Sequence, residues 1–65
     1  MIRLTRRDGR TFIVNAEMIK FVEETPDTVV TLRDDQKLLV KESAEVVVER
    51  VVEYARRIRS VMPGG

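Results

Sequence analysis

Acidic side chains stand next to each other at two places in the sequence, and adjacent carboxylates could do acid–base chemistry or bind a metal ion. Glu23 and Glu24 lie in a run rich in β-branched and aromatic residues, and successive side chains of a strand point to opposite faces. Asp34 and Asp35 lie in a predicted turn with no third acidic ligand at the spacing of a cation-binding loop. Neither pair therefore predicts a catalytic or metal site.

The composition lacks the residue types that catalytic and metal sites most often use. The chain contains no His and no Cys, so it lacks the usual general base and the usual soft metal ligands. Ser43 has no His to activate it, and it stands where a helix start needs an N-cap. We therefore predict a protein that is not an enzyme and that has no cofactor and no bound metal.

Positive charge is concentrated near the two ends of the chain. The first ten residues contain Arg3, Arg6, Arg7 and Arg10, and the last ten contain three more arginines. The total is nevertheless balanced, with 12 basic and 11 acidic residues and a formal net charge of +1, so attraction to nucleic acid is not a property of the whole chain. Solvated surfaces explain these arginines most simply, and a basic patch is the alternative hypothesis.

The elements that must position these residues can be predicted from hydrophobic periodicity and turn signals. Alternation predicts strands at 1–6, 11–15, 19–24, 28–33 and 37–41, with a helical turn at 16–18 and one helix at 44–60. Asp8-Gly9 and Pro26-Asp27 predict the first and second hairpin turns. We predict a core face made of Ile2, Leu4, Phe12, Val14, Ile19, Phe21, Val30, Leu32, Leu38 and Val40.

These elements indicate the α+β fold class. We predict a five-stranded antiparallel meander sheet or small open barrel, followed by one long C-terminal helix. Residues 1–62 should form a single domain, and residues 63–65, Pro-Gly-Gly, a disordered tail. No run approaches the ~18 apolar residues that cross a membrane, and no signal peptide is visible, so we expect a cytoplasmic protein.

The predicted helix carries more apolar surface than one small sheet can cover. Its apolar arc spans on the order of 160–180°, against ~100° for a typical surface helix. A chain of this length without disulfides often gains stability by association, so we predict a homo-oligomer. The candidate interface comprises Val47, Val48, Val51, Tyr54, Ala55 and Ile58 on the helix and Ile13, Val22, Val29 and Leu39 on the strands. Alternatively, a closed barrel with the helix across one end would hold these residues inside one subunit.

Several short motifs resemble those of the small FlbD-type flagellar proteins, which are called SwrD in some bacteria. The motifs are Leu4-Thr5-Arg6, Gly9, Phe12, Asn15, Val-Glu-Glu-Thr-Pro-Asp-Thr at 22–28 and Val-Lys-Glu-Ser at 40–43. The resemblance extends from Ile2 to about Arg57 and departs in two turns, at Asp8, where the family often has Asn, and at Asp35, where it often has Gly. It implies a non-enzymatic cytoplasmic protein that associates with the flagellar motor or its stator at the inner membrane and supports strong motor output.

The first nine residues also resemble the start of CsrA-type translational regulators, which are small five-stranded RNA-binding dimers with a C-terminal helix. This likeness ends after the first hairpin, and the basic segment that those proteins present to RNA is missing. RNA binding would require Arg3, Arg6, Arg7 and Arg10 to act together on phosphates. We therefore favour the flagellar interpretation, keep RNA-binding regulation as the alternative, and do not expect a nucleic-acid partner.

Overall fold

The computed structural model describes residues 1–61, with side chains described through Arg59. The predicted tail at 63–65 and Met62 lie outside these residues. The described elements are β1 at Ile2–Thr5, β2 at Thr11–Val14, a 3₁₀ turn at Ala16–Met18, β3 at Ile19–Glu24, β4 at Thr28–Leu32, β5 at Lys37–Val40 and α1 at Ala44–Val61. Every predicted element is present, and no bound differs from the predicted one by more than one residue.

The strands form two antiparallel sheets instead of one five-stranded meander. One sheet pairs β1 with β2, and the other has the order β3-β4-β5. The 3₁₀ turn separates β2 from β3, so the hairpins are not joined there. A bridge between Arg6 and Val40 brings β1 to the end of β5, and the N–H of Lys41 donates to the carbonyl of Thr5 at 2.8 Å. Over residues 1–61 the fold is therefore α+β with a C-terminal helix, and no closed barrel forms.

The core lies where the helix crosses the two sheets. Leu4 of β1, Val30 of β4 and Val47 of α1 are fully buried, and α1 packs against β1 and β3. The rest of the buried apolar group consists of Ile2, Val14, Ala16, Leu32 and Val40. Because β1, β4 and α1 each contribute a central side chain, a single core holds both sheets and the helix together.

A register shift in β3 changes which side chains face this core. Ile19 lies opposite Leu32 and Val22 lies opposite Val30, with the irregularity between Ile19 and Phe21. One extra residue moves the following side chains to the other face of the sheet. Phe21 is consequently 55% exposed, whereas Val22 packs against the core. The predictions that Phe21 lies in the core and Val22 on the opposite face are both wrong for this reason.

Two hairpin turns place one residue each in the left-handed region of backbone conformation. Gly9 has φ +96° in the turn between β1 and β2, where glycine adopts this conformation without steric cost. Asp35 has φ +68° between β4 and β5, and it is not a glycine. The N–H of Leu32 donates to the carbonyl of Gln36 at 2.8 Å across the turn between β4 and β5, which closes the hairpin around Asp35.

Candidate functional site

The start of α1 is held by two side chains from different parts of the chain. The hydroxyl of Ser43 accepts the N–H of Val46 at 3.2 Å, which confirms the predicted N-cap. The carboxylate of Glu24, at the end of β3, accepts the N–H of Ala44 at 2.8 Å. The first N–H groups of a helix have no partner within the helix, so these bonds stabilise its start and attach it to β3.

A second carboxylate, that of Glu42, connects the loop before α1 to β1. It accepts the backbone N–H of Thr5 at 2.9 Å and the Thr5 hydroxyl at 2.9 Å. Nη1 of Arg50 lies 3.0 Å from the same carboxylate and donates to the carbonyl of Arg3 at 2.6 Å. Thr5, Glu42 and Arg50 thus tie β1, the loop and the helix into one hydrogen-bonded group, which we call the Glu42 network.

The protonation of Glu42 reflects the balance of burial and hydrogen bonding. Burial of the side chain, which is 12% exposed, raises the pKa of its carboxyl, but the hydrogen bonds from Thr5 and Arg50 outweigh it and hold the pKa below its ordinary value. Glu42 is therefore a carboxylate at neutral pH, and its lone pairs are occupied by donors from its own chain. This arrangement is typical of a carboxylate that stabilises the fold.

The arginines of the predicted basic patch do not form one cluster of unpaired charge. Arg7 forms an ion pair with Asp27 in the turn between β3 and β4, and Nε of Arg10 lies 3.3 Å from Asp8. The backbone N–H of Arg10 also lowers the pKa of Asp8, so that carboxylate is ionised at neutral pH.

The other two arginines, Arg3 and Arg6, lie in β1 and directly after it. The guanidinium of Arg6 stacks 4.7 Å from the ring centroid of Phe12, and Arg3 is exposed on β1, between the buried Ile2 and Leu4. Of the four arginines, Arg7 and Arg10 therefore have acidic partners within the chain, which reduces the charge they can offer to phosphates.

The predicted interface residues divide into buried and exposed groups. Val47 is fully buried in the core of the subunit, so its assignment to an interface is wrong. Val22 is turned to the core by the register shift in β3, and Val51 and Tyr54 pack against the same core. Val29 and Ile58 are half-buried, and Ala55 is exposed. The strongly exposed members are Ile13 at 60%, Leu39 at 47% and Val48 at 50%.

One apolar surface covers the side of the β3-β4-β5 sheet that faces away from the core. Val30 and Val40 face the core, so the alternate positions on β4 and β5 face outward. We call this surface the outer sheet face. Its uncharged members are Phe21, Val29, Thr31 and Leu39, and Glu23, opposite Val29, and Lys37, opposite Thr31, lie on the same side. Phe21 pairs with Thr31 and Val29 with Leu39 in the ladders, so the four side chains adjoin. Thr31 is 5% exposed, and its hydroxyl has no hydrogen-bond partner among the described residues.

A second exposed surface lies on the side of α1 that points away from Val47. We call it the outer helix face, and its members are Glu45, Val48, Glu49, Val52, Arg56 and Arg59. All six residues are exposed, with Val48 at 50% and Val52 at 43%. Acidic side chains stand at its N-terminal end, valines near its centre and arginines at its C-terminal end.

The described residues lack two features that would indicate other kinds of site. Residues 1–61 contain no group of three or more His, Cys, Asp or Glu that could hold a metal ion. In the same part of the chain, no helix has both the length and the apolar character needed to cross a membrane. The surfaces that remain as candidates are the outer sheet face and the outer helix face.

The fold and these surfaces define a small α+β protein in which a few polar residues fix the helix and apolar side chains remain on two outer surfaces. A family model described as "FlbD: Flagellar and Swarming motility proteins" matches residues 1–59. The chain therefore belongs to the FlbD family of flagellar and swarming motility proteins. No curated protein matches the chain. No solved structure matches it either.

The structure gives a role to the motifs that carried the resemblance to this family. Thr5, Glu24, Glu42 and Ser43 each belong to one of those motifs, and each takes part in the hydrogen bonds that fix α1. Sequence reasoning identified Ser43 as a cap but missed Glu24 and Glu42. Their partners are 20 and 37 residues away along the chain, and no local pattern predicts contacts at that separation.

Proposed function

We propose that this member of the FlbD family supports the output of the flagellar motor by binding another protein in the cytoplasm, without chemistry of its own. The match over residues 1–59 carries this proposal. The polar residues of the shared motifs are occupied by hydrogen bonds within the chain, so they act as a scaffold. Phe21, Leu39, Val48 and Val52 remain exposed, and exposed apolar side chains favour protein–protein contact over substrate binding.

We propose the outer sheet face as the surface that contacts a component of the motor or its stator. Phe21 and Leu39 are exposed aromatic and aliphatic side chains on neighbouring parts of one face, and such residues are the usual anchors of interfaces. Lys20 and Lys37 flank this face and can form its polar rim.

The experiment is complementation of a deletion strain with variants of this face. Phe21→Ser and Leu39→Ser, alone and together, remove apolar contact area from a surface that is exposed in the free protein. The double variant should fold normally but restore swarming poorly, because losing buried anchor residues at an interface costs ~1 kcal/mol or more each. Swarm expansion and the level of the protein are measured in the same strains.

Ile13→Ser is the matched control. Ile13 is 60% exposed, as apolar as Leu39, and lies on the other sheet, so this variant should restore swarming fully. Full swarming by the Phe21/Leu39 double variant at a normal protein level would contradict the proposed contact surface. Normal swarming by the deletion strain itself would contradict the proposed function.

A further inference from the structure

The outer helix face has an unusual arrangement of charge along its length. At 100° per residue its six members fall within an arc of about 100°, so they form one continuous stripe. Glu45 and Glu49 make the N-terminal end acidic, and Arg56 and Arg59 make the C-terminal end basic. Val52 lies at the centre of the stripe both around the helix and along it.

The outermost charges of the stripe are symmetric about Val52. Glu45 lies seven residues before Val52 and Arg59 lies seven residues after it. Val48 and Arg56 lie four residues before and after it. If a second helix is laid antiparallel across Val52, Glu45 faces Arg59 and Glu49 faces Ala55. The stem of Arg56 covers Val48, and its guanidinium reaches toward Glu49.

We propose that the outer helix face binds the same face of a second copy of this chain, with the two helices antiparallel about a two-fold axis at Val52. The stripe is self-complementary only in this orientation, because a parallel pair would place like charges opposite each other. A two-fold interface requires the same patch on both subunits, and this stripe meets that requirement. Burying Val48 and Val52 supplies the apolar contribution.

The proposed dimer interface contains fewer residues than the interface predicted from sequence. Of the helical residues in that prediction, Val48 belongs to the stripe and Ala55 borders it, whereas Val47, Val51 and Tyr54 serve the core of the subunit. One helix face per subunit is a small interface, which places the dimer among weak, concentration-dependent associations. The outer sheet face is not used, so self-association and the proposed motor contact are independent.

Disulfide crosslinking of the full chain tests the orientation, since the natural sequence contains no Cys. Two single variants are made, Glu45→Cys and Arg59→Cys. The two positions are separated by ~21 Å along one helix, whereas a disulfide needs Cα atoms within about 7 Å. In an antiparallel pair, position 45 meets position 59 of the other copy. We expect a mixture of the two variants to crosslink under mild oxidation and each variant alone to remain uncrosslinked.

A pair of charge variants tests whether the charges of the stripe hold the two copies together. Glu45→Arg with Glu49→Arg makes the stripe wholly basic, and Arg56→Glu with Arg59→Glu makes it wholly acidic. Sedimentation at high micromolar concentration should show the natural chain at twice its mass of 7.5 kDa, each variant as a monomer, and the two variants together as a dimer again. Circular dichroism checks that each variant keeps its helix.

Three results would overturn the proposal. The first is a natural chain that remains a monodisperse monomer at that concentration. The second is crosslinking of Glu45→Cys with itself, which indicates a parallel or different interface. The third is a dimer that persists unchanged in both charge variants, because the stripe would then not be the contact.

Discussion

The carboxylate of Glu42 accepts two hydrogen bonds from Thr5, one from the backbone N–H and one from the hydroxyl, each at 2.9 Å and across 37 residues of sequence. Arg50 adds a third donor to the same carboxylate. Three donors converge on one acceptor group that is 12% exposed, so the network needs a carboxylate at this position. This relationship holds α1 against β1 and therefore fixes the orientation of the outer helix face.

Replacing Glu42 with glutamine should destabilise the protein. The side-chain amide of a glutamine offers one acceptor oxygen and one NH₂ group, so its NH₂ group must face a donor from Thr5 or Arg50. We expect Glu42→Gln to lower the free energy of unfolding by about 1.5–3 kcal/mol, the range for hydrogen bonds to charged groups. Urea denaturation measures the change. Glu23 is an exposed acid on β3, so Glu23→Gln is the matched control, and its free energy of unfolding should stay within about 0.5 kcal/mol of the natural chain. Equal losses in both variants would contradict the role of the network.

The same carboxylate should make stability depend on pH. The pKa of Glu42 is lowered in the folded protein, so its contribution is fully present above the unfolded value near 4.5 and is lost as pH falls through the lower folded pKa. The stability difference between the natural chain and Glu42→Gln should therefore shrink from about pH 6 to about pH 3. Urea midpoints across that range measure it, and a difference that stays constant would show that Glu42 does not titrate in this way.

Replacing Asp35 with glycine should stabilise the turn between β4 and β5. Asp35 has φ +68°, a conformation that costs roughly 1 kcal/mol for residues with a Cβ and little for glycine. Its carboxylate is also 3.3 Å from Lys20, but both side chains are exposed, so that ion pair contributes little. We expect Asp35→Gly to raise the thermal midpoint.

Asp35→Asn separates the two contributions at this turn. It removes the ion pair with Lys20 but keeps a short polar side chain that tolerates the left-handed region. Its thermal midpoint should lie close to that of the natural chain. If Asp35→Asn lowers the midpoint clearly and Asp35→Gly fails to raise it, the ion pair matters more than the backbone conformation, and the prediction is wrong.

Removing the carboxylate of Glu24 should weaken the start of α1. Its bond to the N–H of Ala44 is 2.8 Å long, and loss of a cap costs typically ~1 kcal/mol. Ser43→Ala removes the neighbouring cap on Val46. We expect each single variant to lower stability by about 0.5–1 kcal/mol and the double variant to increase hydrogen exchange of the first helical turn. Unchanged exchange in the double variant would show that neither side chain is needed.

The strands, turns and helix could be predicted because their signals are local. Alternation identified all five strands, Asp8-Gly9 marked the first hairpin, and Ser43 marked the helix start. The inward face of β3 could not be predicted, since the extra residue before Phe21 leaves the alternating pattern of the sequence intact while reversing which face is buried. The same local reading assigned Val47 to an interface, because it cannot tell which part of a wide apolar arc meets the sheets.

The candidate sites could be predicted only in part for a similar reason. The arginines near the N-terminus were visible in the sequence, but the ion pair between Arg7 and Asp27 depends on how the first hairpin meets the second. The partners of Glu24 and Glu42 likewise depend on the packing of separate elements. Leu39 was correctly placed outside the core because β5 follows its alternating pattern without a register shift.

The rotation of single flagella under load tests the central claim most directly. Tethered cells of a deletion strain are compared with the parent strain and with the deletion strain complemented by the natural gene, while filament number is counted by microscopy. A protein that supports motor output predicts normal filament assembly with slower rotation at high load, restored by complementation. Rotation equal to that of the parent strain at every load would contradict the account.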